Sequence, residues 1–137
     1  MQHIDRRNVA ALRKKVMVVE DDREVRRFME LSLGTRLNVR VLVATDGFMA
    51  LMMARGELPD LILMDLRMPY VDGFQAIEML KADEQTSHIP IMAFSNYDWT
   101  FGWKEKVTEL GCVRCLDKTE FMPQIADIVD EFLTQEA

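Results

Sequence analysis

The sequence predicts an α/β domain, a doubly wound sandwich around a five-stranded parallel sheet. Two patterns predict it. Short, continuously apolar runs alternate with amphipathic segments of helical spacing, as strands buried on both faces alternate with their covering helices. Residues able to do chemistry follow several of those runs, on the sheet edge where parallel sheets with right-handed crossovers bind ligands. The length of 137 residues suits one such domain with a real core, and 49% apolar residues mark a globular chain.

The elements follow in order. Val16 to Val19 is a β-branched strand ending at Glu20, Asp21 and Asp22. Asp22 can cap a helix whose apolar positions Val25, Phe28, Met29, Leu31 and Leu33 lead to Gly34, a C-terminal stop. Val39 to Val43 is the second strand, and Asp46 caps a short helix closed near Gly56. Leu61 to Met64 is the third strand, and Gly73 to Ala82 a helix through Phe74, Ile77, Met79 and Leu80. Ile89 to Phe94 and Val113 to Leu116 complete the sheet, and Ile125 to Leu133 is a closing amphipathic helix.

Charge and composition exclude several functions. A net charge of −6 argues against a general nucleic-acid or membrane-surface binder. The basic residues Arg6, Arg7, Arg13, Lys14 and Lys15 cluster at the start and read as solvated charge, with residues 1–14 as a leader and contact to an acidic partner as the alternative. No apolar stretch approaches the roughly 18–20 residues that span a bilayer, and no signal-peptide core opens the chain, so a cytoplasmic protein without membrane insertion is expected. Cys112 and Cys115 form a C-x-x-C, but no second pair completes a zinc site. Read as part of one strand they point to opposite faces and act as small buried apolar residues.

Asp65 is the most informative residue. It ends the run Leu61-Ile62-Leu63-Met64 and precedes the loop Leu66-Arg67-Met68-Pro69-Tyr70-Val71-Asp72-Gly73. Gly73 and Pro69 shape that loop, Gly73 by permitting a positive φ. Alone, Asp65 could be a turn residue, Lys118 a surface lysine and Ser95 a turn serine. Their order on successive strand ends, with Glu20 and Asp21 on the first, carries the functional reading.

This pattern resembles the receiver domain of two-component response regulators: Val18-Val19-Glu20-Asp21-Asp22, then Met64-Asp65 with Met68-Pro69 and Asp72-Gly73, then Ser95, then Lys118. The resemblance covers residues 15–137 and implies a flavodoxin-like sheet of strand order 2-1-3-4-5. It implies that Asp65 accepts a phosphoryl group, that Mg²⁺ is held by Asp21, Asp65 and the Arg67 carbonyl with Glu20 acting through water, and that Ser95 and Lys118 contact the phosphoryl oxygens. Three carboxylates brought together repel, and a hard divalent cation with oxygen ligands relieves that conflict. The implied donor is a phosphohistidine on a sensor histidine kinase or phosphotransfer protein. The readout is a changed surface around the fourth helix and fifth strand, offered to an output domain or downstream protein, with a homodimer left open. Such a chain catalyses only its own phosphorylation and dephosphorylation, and stands alone or belongs to a longer protein.

Three positions depart from the family pattern. Asn96 replaces the usual small residue after the switch serine, Cys115 the aromatic of the fifth strand, and Thr119 the proline after the lysine. The last leaves two expectations, a trans Lys118–Thr119 bond or a strained cis one. Between Ser95 and Lys118, Tyr97, Trp99, Phe101 and Trp103 recur at every second position, read as core filling with a late helix start at Gly102 or as an exposed partner patch. The main alternative is a phosphorylation-independent pseudo-receiver, an interaction module. A haloacid-dehalogenase-like phosphatase would want an acid where Arg67 stands, and a flavodoxin a phosphate loop after the first strand.

Overall fold

The computed structural model describes residues 13–68, 70–95 and 102–135. Its elements are β1 (Lys14–Val19), α1 (Arg23–Arg36), β2 (Val39–Ala44), α2 (Gly47–Glu57), β3 (Leu61–Asp65), α3 (Gly73–Ala82), β4 (Ile91–Ser95), α4 (Trp103–Glu109), β5 (Arg114–Asp117), α5 (Lys118–Phe121), a 3₁₀ turn (Met122–Gln124) and α6 (Ile125–Gln135). The strands pair in parallel in the order β2-β1-β3-β4-β5, as the sequence predicts. The central strands β3 and β4 are buried at every residue, which is why their sequences are continuously apolar.

Each face of the sheet has its own core. Met17, Val19, Ile62, Met64, Ile91 and Ala93 pack under α2, α3 and α4, where Trp103 is buried. Val16, Val18, Leu61, Leu63, Met92 and Phe94 pack under α1 and α6. The alternation along β1, β3 and β4 sends successive side chains to opposite faces, and helices on both sides complete the sandwich. No helix among the described residues is long and apolar enough to cross a membrane.

The helix starts match expectation. Asp22 accepts the Glu24 and Val25 amides, Asp46 accepts Met49, and Asp72 exchanges hydrogen bonds with Gln75 in a capping box. Gly102, at φ 76°, precedes α4, so the late start is borne out, and the buried Trp103 serves the core rather than a surface patch. Tyr97, Trp99, Phe101 and Asn96 lie outside the described residues, as do Pro69, Arg6 and Arg7.

Several boundaries differ. Gly34 does not end α1; the helix continues to Arg36 because the exposed glycine costs only about 1 kcal/mol, and the Leu37 amide still bonds Leu33. Gly56 lies inside α2, whose left-handed closing residue is Leu58. β4 starts at Ile91 rather than Ile89, since Pro90 between them has no amide to donate. β5 starts at Arg114, so the two-residue alternation does not reach Cys112. Cys112 and Cys115 therefore face the same core, and the expectation of opposite faces is corrected. Both thiols are free, and burial pushes Cys112 up to about 12. Alkylation at pH 8 is expected to spare Cys112 in the folded protein and to modify it after denaturation, as peptide mass mapping would read.

Gly73 serves a different purpose from the one read in the sequence. Its φ is not positive; instead its Cα sits against β3, so that an added Cβ would lie 2.4 Å from both the Asp65 carbonyl oxygen and Leu66 Cα. The glycine thus lets α3 start directly on the strand that carries Asp65. Gly73→Ala is expected to destabilise the domain by about 2 kcal/mol, measured by urea denaturation, and to displace the Asp65 loop.

Candidate functional site

The carboxyl edge of the sheet holds an open cleft of ≈ 460 Å³ lined by Glu20, Asp21, Asp22, Asp65, Arg67, Met68 and Lys118. The backbone dictates this convergence. β1 lies between β2 and β3, so Glu20 leaves the sheet beside the end of β3. Asp65 pairs in register with Phe94, which sets Ser95 one residue further along β4. Ser95 in turn pairs with Asp117, and Lys118 follows at once. Four sequence-distant positions are thereby brought to one edge by strand register alone.

Within the cleft, Glu20, Asp65 and Lys118 are buried, whereas Asp21 is exposed; Ser95, at the end of β4, is also buried. Carboxylate oxygens of Glu20, Asp21 and Asp65 all lie within 4.8 Å of one another. The Arg67 amide donates to Asp65 Oδ1 at 3.1 Å, and the Asp22 amide donates to Glu20 Oε1 at 3.2 Å. Lys118 Nζ lies over the Phe94 ring at 5.4 Å and donates to both Glu20 oxygens, at 3.0 and 3.2 Å. Its distance to Asp65 Oδ2 is longer, 3.8 Å. The lysine is therefore shared between the two acids and seated chiefly on Glu20.

Electrostatics follow from burial. Desolvation, then the adjacent Asp65 charge and its hydrogen bond, push Glu20 up to about 8 against the pull of Lys118. Burial also raises Asp65, opposed by hydrogen bonding from Glu20, the Lys118 charge and the Arg67 amide. One ammonium does not compensate two buried carboxylates with a third beside them. The donor set is all oxygen, carries excess negative charge and opens to solvent at Asp21, which fits a small hard divalent cation.

Of the residues expected from the sequence, Glu20, Asp21, Asp65 and Lys118 meet in the cleft, Arg67 lines it, and Ser95 is buried at the end of β4. Cys115 is half-buried on β5, and the Lys118–Thr119 bond is trans. Arg26 is a residue the sequence reading missed. Its guanidinium on α1 donates to the carbonyls of Glu20 and Asp21 at 3.0 and 3.2 Å. A basic residue one turn past a helix-capping aspartate was the available signal, but α1 carries Arg23 and Arg27 beside it, which hid it.

A five-stranded doubly wound sheet with acids and a lysine gathered at the carboxyl ends of β1, β3 and β5 has the flavodoxin-like form of a receiver. The chain belongs to the response regulator receiver domain family, which it matches over residues 16–130. It is 32% identical over 120 residues to the polar-differentiation response regulator DivK of Brucella ovis, covering 88% of this chain and 96% of that protein. Among solved structures it superposes on the receiver domain of the Francisella response regulator 1452 with a TM-score of 0.79 at 24% identity, covering 90% and 99% of the two chains. The phosphorylated cyanobacterial phytochrome response regulator RcpA gives a TM-score of 0.75 at 25% identity, with coverage of 91% and 96%.

Proposed function

We propose that this receiver domain is an active phosphoacceptor switch in which Asp65 takes a phosphoryl group from a phosphohistidine. The observation that carries the reading is the setting of Asp65: buried, 3.8 Å from the Lys118 ammonium, with carboxylate oxygens of Glu20 and Asp21 within 4.8 Å. That RcpA is a phosphorylated response regulator supports it. The proposed domain is read over residues 15–137, with Lys14 added as the first residue of β1, and its proposed compartment is the cytoplasm.

An Asp65 carboxylate oxygen attacks phosphorus in line with the phosphorus–nitrogen bond of the donor imidazole, which leaves with the electron pair of that bond. The Arg67 amide, 3.1 Å from Oδ1, holds the carboxylate in orientation. Lys118 moves from Glu20 toward the incoming oxygens, a short shift because it already lies between the two acids. The Ser95 hydroxyl, at the end of the neighbouring strand, is the proposed donor to a further phosphoryl oxygen. Glu20, Asp21, Asp65 and the Arg67 carbonyl are the proposed Mg²⁺ ligands, Glu20 through water. Bound there, Mg²⁺ supplies charge neutralisation for the phosphoryl oxygens. Movement of Ser95 and Lys118, which flank β4 and β5, then reshapes the surface of α4 and β5 for an output partner.

Incubation with acetyl phosphate and Mg²⁺, followed by intact-mass analysis, tests the reading. A gain of one phosphoryl group, lost in EDTA and in Asp21→Ala, is expected. A folded sample that binds Mg²⁺ and gains no mass would instead be a pseudo-receiver, working as a constitutive interaction module.

A further inference from the structure

The segment that presents Glu20 and Asp21 contains backbone oxygens that neither adjoining element satisfies. The β1 ladder reaches the Glu20 amide, which donates to the Ala44 carbonyl at 3.1 Å. The α1 ladder begins at the Asp22 carbonyl, which accepts the Arg26 amide at 2.9 Å. Between them stand the carbonyls of Glu20 and Asp21. The Glu20 carbonyl is partly buried and needs a partner, the Asp21 carbonyl is exposed, and one nitrogen serves both: Arg26 Nη1 donates to Glu20 O at 3.0 Å and to Asp21 O at 3.2 Å.

We propose that Arg26 is a positioning residue for the cation site. It clamps two consecutive peptide planes from inside α1, and those planes fix the directions in which the Glu20 and Asp21 side chains leave the backbone. The consequence is convergence: a buried Glu20 and an exposed Asp21 on adjacent residues both bring an oxygen toward Asp65. The two grips are complementary, since Lys118 holds the Glu20 carboxylate while Arg26 holds its backbone. The proposal rests on the reading of the cleft as a Mg²⁺-dependent phosphoacceptor site.

The positioning role and a simple charge role predict opposite signs. A guanidinium beside a cation site repels the cation, so removing it for its charge alone would tighten Mg²⁺ binding. Removing a clamp loosens the ligand set; groups that orient metal ligands without touching the metal contribute roughly 10- to 100-fold in affinity.

The experiment is calorimetric titration of the full chain with MgCl₂ at pH 8, for wild type, Arg26→Met and Arg26→Lys, with metal-free melting curves alongside. Arg26→Met is expected to weaken Mg²⁺ binding by about tenfold with an almost unchanged metal-free melting temperature, because the freed carbonyls can take up water. Arg26→Lys, which retains a charged donor, is expected to recover most of the affinity. Equal or tighter binding by Arg26→Met would overturn the proposal. Should Arg26→Met fail to fold, Arg26→Gln replaces it: weakened Mg²⁺ binding in a folded Arg26→Gln protein supports the clamp, and unchanged or tighter binding overturns it. Absence of Mg²⁺ binding by wild type would overturn the reading of the cleft, and the clamp with it.

Discussion

Asp65→Asn is expected to abolish phosphoryl uptake completely and, without metal, to raise the melting temperature of the protein. The first effect follows from chemistry: a carboxamide lacks the anionic oxygen that attacks phosphorus. The second follows from the surroundings. Asp65 is buried against Glu20, both acids are raised by desolvation, and a single lysine serves them. Asparagine keeps an acceptor for the Arg67 amide, which lies 3.1 Å from Oδ1, while removing one charge from the cluster. Removing one buried, incompletely compensated charge is expected to gain about 1–2 kcal/mol at pH 8, or roughly 3–8 °C for a domain of this size. Function and stability thus oppose each other at one atom, as expected where charge is concentrated for chemistry. Melting curves in EDTA and intact mass after acetyl phosphate treatment check both halves. Labelling of Asp65→Asn to the wild-type extent would remove Asp65 from the role, and a lower melting temperature would show that no charge conflict exists.

Most of the fold was legible because its signals are local. Continuous apolar runs mark strands buried on both faces, and Asp22 and Asp46 mark helix starts by a hydrogen bond within three residues, as Asp72 also does without having been read as a cap. The strand ends that carry Glu20, Asp65, Ser95 and Lys118 were readable for the same reason: an apolar run stops at a polar residue. The misread boundaries were decided by energies that sequence ranks poorly. Gly34 reads as a stop, yet one exposed glycine is too weak to end a helix whose next residues still bond. Gly73 reads as a conformational device, although its role is a close approach between α3 and β3 that only three dimensions reveal. The pairing within the site was equally hidden. Lys118 contacts Glu20, 98 residues away, more closely than Asp65, a choice set by side-chain reach across β1, β3 and β5. Arg26 was hard to single out because Arg23 and Arg27 stand beside it and because its partners are backbone oxygens, which residue identity does not mark.

Metal-free protein is expected to lose stability as pH rises from about 5 to 8, and Mg²⁺ to restore it. Glu20 moves from 4.5 to about 8 on folding, and Asp65 shifts in the same direction. An acid whose folded pKa is raised makes its full contribution below its unfolded value, where both states are protonated. Above that value the unfolded chain releases the proton and the folded chain does not, so the stability falls until pH passes the folded value. The window is therefore 4.5 to about 8 for Glu20. At about 1.4 kcal/mol per unit the loss is capped near 5 kcal/mol, and relaxation around the open cleft brings the expected loss to about 3 kcal/mol, a large share of a typical domain's 5–15 kcal/mol. Protons and the cation compete for the same oxygens, so the rise in melting temperature on adding Mg²⁺ should be small at pH 5.5 and large at pH 8.5. Glu20→Gln separates the two acids: it retains an acceptor for Lys118 and the Asp22 amide but cannot titrate, so its metal-free stability should be flatter than that of wild type across the same interval, the remaining slope coming from Asp65. A wild-type curve in EDTA that is equally flat, or a Mg²⁺ shift equal at both pH values, would show that buried carboxylate charge does not govern this cleft.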